Sequence, residues 1–182
     1  SVRGNVVYGE RNGLLSGDGY SYLRNNQKVL VEFGAQEEKD LPDIGHENWN
    51  NYSVSVLDMV KAANHKAQSF WSVANRDELL KLLDDGRVVQ AGMEWYSGFN
   101  QSGGFKSPWL ITKNLGYSVG GHAVAIIGYD LNYQGVKVYI IQNSYGKSWG
   151  DNGKFYVAMD HLDKQIFGFG GYGCYATLDI QP

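Results

Sequence analysis

The stretch from Gly120 to Gly153, GGHAVAIIGYDLNYQGVKVYIIQNSYGKSWGDNG, constrains this chain more than any other. Two runs inside it, Ala123–Tyr129 and Val136–Gln142, are rich in Val, Ile and Tyr, the composition of strands. Between them Asp130–Gly135 supplies Asp, Asn, Gln and Gly, which is turn chemistry. An antiparallel hairpin follows. A turn centred on Asn132 and Tyr133 sets His122 opposite Asn143. Directly opposed residues hold their Cβ atoms about 4.5–5.5 Å apart, so an imidazole and a carboxamide meet at the open end of the hairpin. The amide oxygen accepts from one ring nitrogen, fixes the tautomer and leaves the other nitrogen as a base. That is the orienting half of a nucleophile–base–orienter constellation. A turn placed elsewhere makes the same residues chance neighbours in an ordinary sheet, and spacing alone does not separate the two readings.

The residues themselves carry more. GGHAVAIIGYD followed by QNSYGKSWGDNGKFYV resembles the histidine and asparagine regions of the papain-like cysteine peptidases. In that family a His opens a strand, Asn-Ser-Trp-Gly follows, then a second Trp-Gly and a Gly before the next strand. Here these positions are His122, Asn143-Ser144-Tyr145-Gly146, Trp149-Gly150 and Gly153. Tyr145 stands where the family usually has a tryptophan shielding the His–Asn contact. The resemblance implies an α+β, two-lobed papain-like fold. Residues 1–66 would be a remnant of the helical left lobe and 67–182 the β-rich right lobe carrying His122 and Asn143. It also implies peptide-bond hydrolysis through a thioester acyl-enzyme, with His122 and Asn143 catalytic, Trp149 and Tyr145 in support, a peptide or protein substrate, and no metal or organic cofactor.

Composition narrows the alternatives. The 182 residues, 43% of them hydrophobic, suffice for one domain or two small lobes sharing a cleft. A net charge of −3 speaks against nucleic acid or an anionic membrane as the main partner. No apolar run approaches the ~18 residues of a membrane span. Residue 1 is Ser, so a processed or truncated chain is expected. The only cysteine is Cys174, so no internal disulfide is possible, which favours a reducing compartment or a viral or bacterial setting.

Along the chain, SGDGYSY precedes a helix over Tyr20–Phe33, with Tyr20, Leu23, Leu30 and Val31 on its inner face and Gly34 as its stop. By the resemblance Gly19 lies beside the substrate backbone, with Asp18 replacing a second glycine; a plain turn before a helix explains the same residues. Leu41–Tyr52, with His46, is expected as a surface loop. A helix over Ser53–Lys66 would bury Val54, Leu57 and Val60, leaving His65 near its C-terminus. Gln68–Val73 alternates as a strand, and Asn75 with Glu78 three residues on begins a helix whose stripe is Leu79, Leu82 and Leu83, ended by Gly86. A strand at Val88–Trp95 follows. There Ala91 is placed by resemblance in the substrate side-chain pocket. Tyr96–Gly121 is then a long loop, of the functional or mobile kind, and His161 a surface residue.

The nucleophile is the problem. The family's cysteine lies in a C-G-[SA]-C-[WY] signature about 130–150 residues before the His and Asn, and neither that signature nor a serine version occurs here. Cys174, in GGYGCYATLDI, has no helix start to lower its pKa and reads as a buried structural thiol. The expectation is therefore a papain-like peptidase whose nucleophile comes from an N-terminal companion segment or chain, inactive by itself. The alternative is a catalytically inactive relative with a binding or structural role in a larger assembly such as a virion.

Overall fold

The computed structural model describes residues 13, 21–37, 39–40, 55–100 and 105–179. Gly19, Asp18, His46 and the whole of the expected loop at 41–52 lie outside them. The chain divides into two compact units, Ser1–Trp71 with Thr177–Pro182, and Ser72–Ala176.

The first unit holds two helices and a strand. α1, Leu23–Glu32, is shorter than the expected Tyr20–Phe33, because the backbone at Tyr22 is already extended. Its buried positions are Gln27 and Val29, whereas Leu23, Leu30 and Val31 are half-buried. Gly34 ends it in the left-handed region, φ 87°, where a Cβ would meet the Ala62 carbonyl oxygen at 2.0 Å. α2, Val56–Ala63, starts later than expected because Ser55 and Asp58 form a reciprocal capping box. The expected inner stripe fails here: Leu57 and Val60 are 64% and 56% exposed, and the buried residue is Ala62. β1 covers Ala67–Ser72.

The second unit is built on a sheet. Its elements are α3 (Arg76–Asp84), β2 (Val89–Tyr96), a 3₁₀ turn (Ser97–Phe99), β3 (Leu110–Ile111), β4 (Ser118–Tyr133), β5 (Val136–Gln142), β6 (Lys154–Ala158), α4 (Met159–Ile166) and the start of β7 (Cys174–Asp179). The strands are hydrogen-bonded in the order β7-β2-β4-β5-β6-β3. All these pairs are antiparallel except β3 with β6. The expected loop at 96–121 therefore contains the 3₁₀ turn, β3 and the first residues of β4.

Alternation along the strands selects one face for the core. Ala91, Met93 and Trp95 of β2, Val124 and Ile126 of β4, Ile141 of β5 and Phe155 and Val157 of β6 are buried. α3 covers this sheet with Leu79 and Leu82, and α4 with Met159, Leu162 and Ile166, spaced to share one helical face. Each such side chain contributes about 1.5–3 kcal/mol on burial. Asn75 caps α3 as expected, its side chain accepting from the Glu78 amide at 3.0 Å. Arg76 in the first turn of α3 donates to Asp163 at 2.6 Å and to Asp160, and Tyr139 donates to the other Asp163 oxygen at 2.8 Å. These bonds lock both helices to β5. α4 also contains His161, half-buried against Gln165 rather than fully exposed as expected.

The hairpin turn sits two residues later than expected. Gln134 and Gly135 both have positive φ, 52° and 79°, and Tyr133 pairs with Val136, the two-residue loop that matches the twist of its strands. The Asp-Leu-Asn run suggested the turn because its chemistry is turn-like: Asp130 accepts from the Asn132 amide at 2.7 Å. That local bond belongs to a bulge between Asp130 and Tyr133.

Candidate functional site: a histidine held by an asparagine

His122 and Asn143 meet, although not as opposed residues. β4 and β5 pair outward only to Ala125–Gln142. Carried further, that register would set His122 level with Tyr145, leaving Asn143 diagonal to it, within reach of a long side chain. The imidazole Nε2 lies 2.9 Å from Asn143 Oδ1. His122 is also anchored on its other side, where it pairs with Met93 of β2.

Asn143 is itself held. It is 5% exposed. Its amide donates to the Gly153 carbonyl at 2.9 Å, and its Oδ1 also accepts from the Ser144 amide at 2.8 Å. Gln142 Nε2 bonds the carbonyls of Asn143 and Gly153 at 2.9 and 3.0 Å. Asn-Ser is thus folded onto the turn that Gly153 closes. Since Oδ1 only accepts, Nε2 carries the proton and Nδ1 keeps its lone pair. Burial holds the imidazole below its ordinary pKa, with the bond to Asn143 acting in the opposite direction. At neutral pH the ring is therefore an uncharged base.

Aromatic rings surround it. Tyr145 lies 5.4 Å from the His122 ring and is 43% exposed, a half-open cover. Trp149, 3% exposed, lies behind, edge-on to Tyr145 at 5.5 Å and tilted against Trp95 at 6.0 Å. Among the described residues the ring nearest to His122 is Trp95, at 4.7 Å. It escapes a reading of the sequence around Asn143 because it comes from β2, where it pairs with Gly120 and shares the face of His122. Asn100, Tyr145, Ser148 and Trp149 line a pocket of about 310 Å³ beside this cluster.

The remaining expected residues fall elsewhere. Ala91 is 0% exposed; strand alternation turns its methyl toward the core. Gly19 is outside the described residues. Cys174 is fully buried, opposite Ala91 in the β2–β7 ladder, with Sγ 3.9 Å from the Val73 carbonyl. Burial first, then Glu78 and Asp163, push its thiol up to about 12. Among the described residues no group of His, Cys, Asp and Glu is arranged to hold a metal, and no helix is long and apolar enough to cross a membrane.

A mostly antiparallel sheet with helices on its core face, carrying a buried asparagine that fixes a histidine, defines an α+β fold of the papain type. The model of the papain family cysteine proteases matches residues 6–168, and the chain belongs to that family. It is 50% identical over 77 residues to cathepsin B-like CP2 of Giardia intestinalis, covering 42% of this chain and 24% of that protein. It is 29% identical over 149 residues to the oryzain gamma chain of Oryza sativa subsp. japonica, covering 81% of this chain and 37% of that one. The chain thus spans well under half the length of these curated relatives. Xylellain, a cysteine protease from Xylella fastidiosa, superposes with a TM-score of 0.73 at 21% identity over 99% of this chain and 69% of that one. Procathepsin L 3 of Tenebrio molitor larval midgut gives 0.70 at 14% identity, over 96% and 54%.

Proposed function

We propose that this chain is the histidine- and asparagine-bearing part of a cysteine peptidase, acting with a thiolate supplied by an N-terminal companion segment or chain. The observation that carries this reading is the 2.9 Å contact that protonates His122 on Nε2 and leaves Nδ1 free. In the reaction the thiol proton passes to Nδ1 and the sulfur attacks the peptide carbonyl. The tetrahedral adduct collapses to a thioester as His122 returns the proton to the leaving amine. Water, deprotonated by His122, then releases the acid and regenerates the thiol. Asn143 orients the ring throughout, and Trp95, Tyr145 and Trp149 limit water around it. Residues 1–66 serve as the helical lobe's remnant and 67–182 as the sheet lobe, with Gly19 beside the substrate.

Cys174 does not supply the nucleophile: it is buried, with a raised pKa, the reverse of an activated thiol. The half-buried Leu23, Leu30 and Val31 of α1 offer the companion an apolar face. The test is reconstitution. The chain alone is expected to leave peptide substrates uncut. Adding a segment with the cysteine signature should restore cleavage, and His122→Ala in the complex should lower it by about 10²–10⁴-fold. A folded complex that stays inactive favours the alternative of a non-catalytic relative that binds peptides or sits in an assembly such as a virion. Cleavage by the bare chain, abolished by Cys174→Ser, would overturn the assignment of the thiol.

A further inference from the structure

β2 runs on past its ladder with β7. That ladder covers Val89–Ala91 against Cys174–Ala176, and just beyond it the Gly173 carbonyl accepts the Gly92 amide at 3.2 Å. Donors on one edge of a strand recur at every second residue, so the next on this edge is the Glu94 amide. α4 supplies its acceptor: Gln165 Oε1 takes the Glu94 amide at 2.7 Å. The other end of the same carboxamide, Nε2, lies 3.1 Å from Nε2 of His161, one helical turn back. The Gln165 backbone is fixed as well, its carbonyl accepting the Tyr172 amide at 2.8 Å.

A backbone amide only donates, so the carboxamide turns its oxygen to Glu94 and its amino group to His161. The amino group also only donates. His161 Nε2 therefore presents a lone pair, and the ring is neutral with its proton on Nδ1. A proton added at Nε2 would set an N–H against the NH₂ of Gln165. Turning the carboxamide over would satisfy the imidazolium but set the NH₂ against the Glu94 amide. One of the two bonds is lost in either orientation. The surrounding charges do not offset this loss. Burial opposes protonation of His161, and so does Lys164 of α4. Glu94 of β2 gives its carboxylate to Ser118 and Tyr172. Arg76 of α3 and Tyr139 of β5 bind Asp163, and Arg76 also binds Asp160. Lys137 of β5 bears on Asp160, and Lys154 and Tyr156 of β6 on Asp151. We propose that His161 and Gln165 form an acid-released tie between α4 and the β2 edge, closed while the imidazole is neutral and opened when it takes up a proton. Since burial lowers the His161 pKa from its ordinary 6.5, the tie is closed at neutral pH and opens as pH falls through the folded value. It lies one residue from Trp95, the ring beside His122, so its release loosens the strand next to that histidine. The tie belongs to the fold and is independent of the chain's catalytic role.

The test is NMR on the isotope-labelled full chain, titrated from neutral to acidic pH. The His161 ring signals report its protonation. Amide exchange at Glu94, divided by the intrinsic rate at each pH, reports the bond to Gln165. Protection of the Glu94 amide is expected to fall about fivefold, with the midpoint of the His161 ring. His161→Gln offers an uncharged acceptor in the same place and should keep Glu94 protected across the range. Gln165→Met, of similar length but without the acceptor, should leave Glu94 poorly protected at every pH. If a variant does not fold, the wild-type titration decides. Glu94 protection that ignores the His161 titration would overturn the proposal. So would a pH response that persists in folded His161→Gln, or full protection in folded Gln165→Met.

Discussion

At the scale of the residue, two opposing influences set the proton affinity of His122. Burial lowers its pKa, and the bond to Asn143 raises it. They separate by mutation. Tyr145→Ala opens the ring to water, so the His122 pKa should rise toward its ordinary 6.5. Asn143→Ala removes the bond, so it should fall further. NMR titration of the imidazole reads both, and shifts of the same sign in the two variants would disprove this division of causes. A lowered folded-state pKa also means that the unfolded chain binds the proton first. Stability is then full above about 6.5 and is lost as pH falls through the folded pKa. His161 titrates in the same direction, so His122→Gln should remove only part of the acid-side loss in thermal midpoint. Cys174 gives a second prediction. With a thiol pushed up to about 12 and no exposure, it should resist iodoacetamide at neutral pH in the native protein and react readily once the chain is denatured.

At the scale of the element, the hairpin and the loop after Asn143 depend on glycines for different reasons. Gly135 has φ 79° and open space around it; Gly150 has φ 61°, and a Cβ there would lie 2.3 Å from the Lys154 carbonyl oxygen. Gly135→Ala should cost only the left-handed strain, about 1 kcal/mol. Gly150→Ala adds a backbone collision to that strain and should cost roughly 3 kcal/mol. It should also loosen the turn in which Asp151 pairs with Lys154, and with it the Gly153 carbonyl that receives the Asn143 amide. Chemical denaturation ranks the two variants; equal losses would show that the collision is relieved by a small shift. The hairpin also shows how a strong local signal misleads. Asp130 makes its turn-like bond, but a bulge absorbs it, and the reversal falls at Gln134–Gly135, where two successive positive φ values match the strand twist.

At the scale of the whole molecule, the apolar surface left on the helices bears on the proposed companion segment. Val56, Leu57, Met59 and Val60 of α2 are exposed, beyond the scattered single residues that need no explanation. A segment that binds the folded chain stabilises it by mass action, by about 2.7 kcal/mol at one hundred times its dissociation constant. The thermal midpoint should therefore rise with companion concentration, and amide exchange in α1 should slow. A midpoint that stays constant while the added segment saturates would count against a companion docked on the folded state.

Features that depend on neighbours along the chain are legible in the residues. Asn75 and Gly34 mark helix ends where their side chain and their lack of one demand it. The β-branched runs flanking the turn became β4 and β5, and the motif residues named the family. The residues also place Cys174 in the interior, because a lone thiol in a strand-like run has no polar role to keep it outside. Packing between elements settles the remainder. Whether Leu57 is inside depends on what packs against α2, not on its period. Whether Ala91 or its neighbour faces the core depends on a one-residue phase that β4 and β7 impose. His122 reaches Asn143 diagonally across a register that two bulges shifted. Trp95 comes to His122 from a segment far from it in the chain, because strand pairing, which no local pattern encodes, sets β2 between β4 and β7.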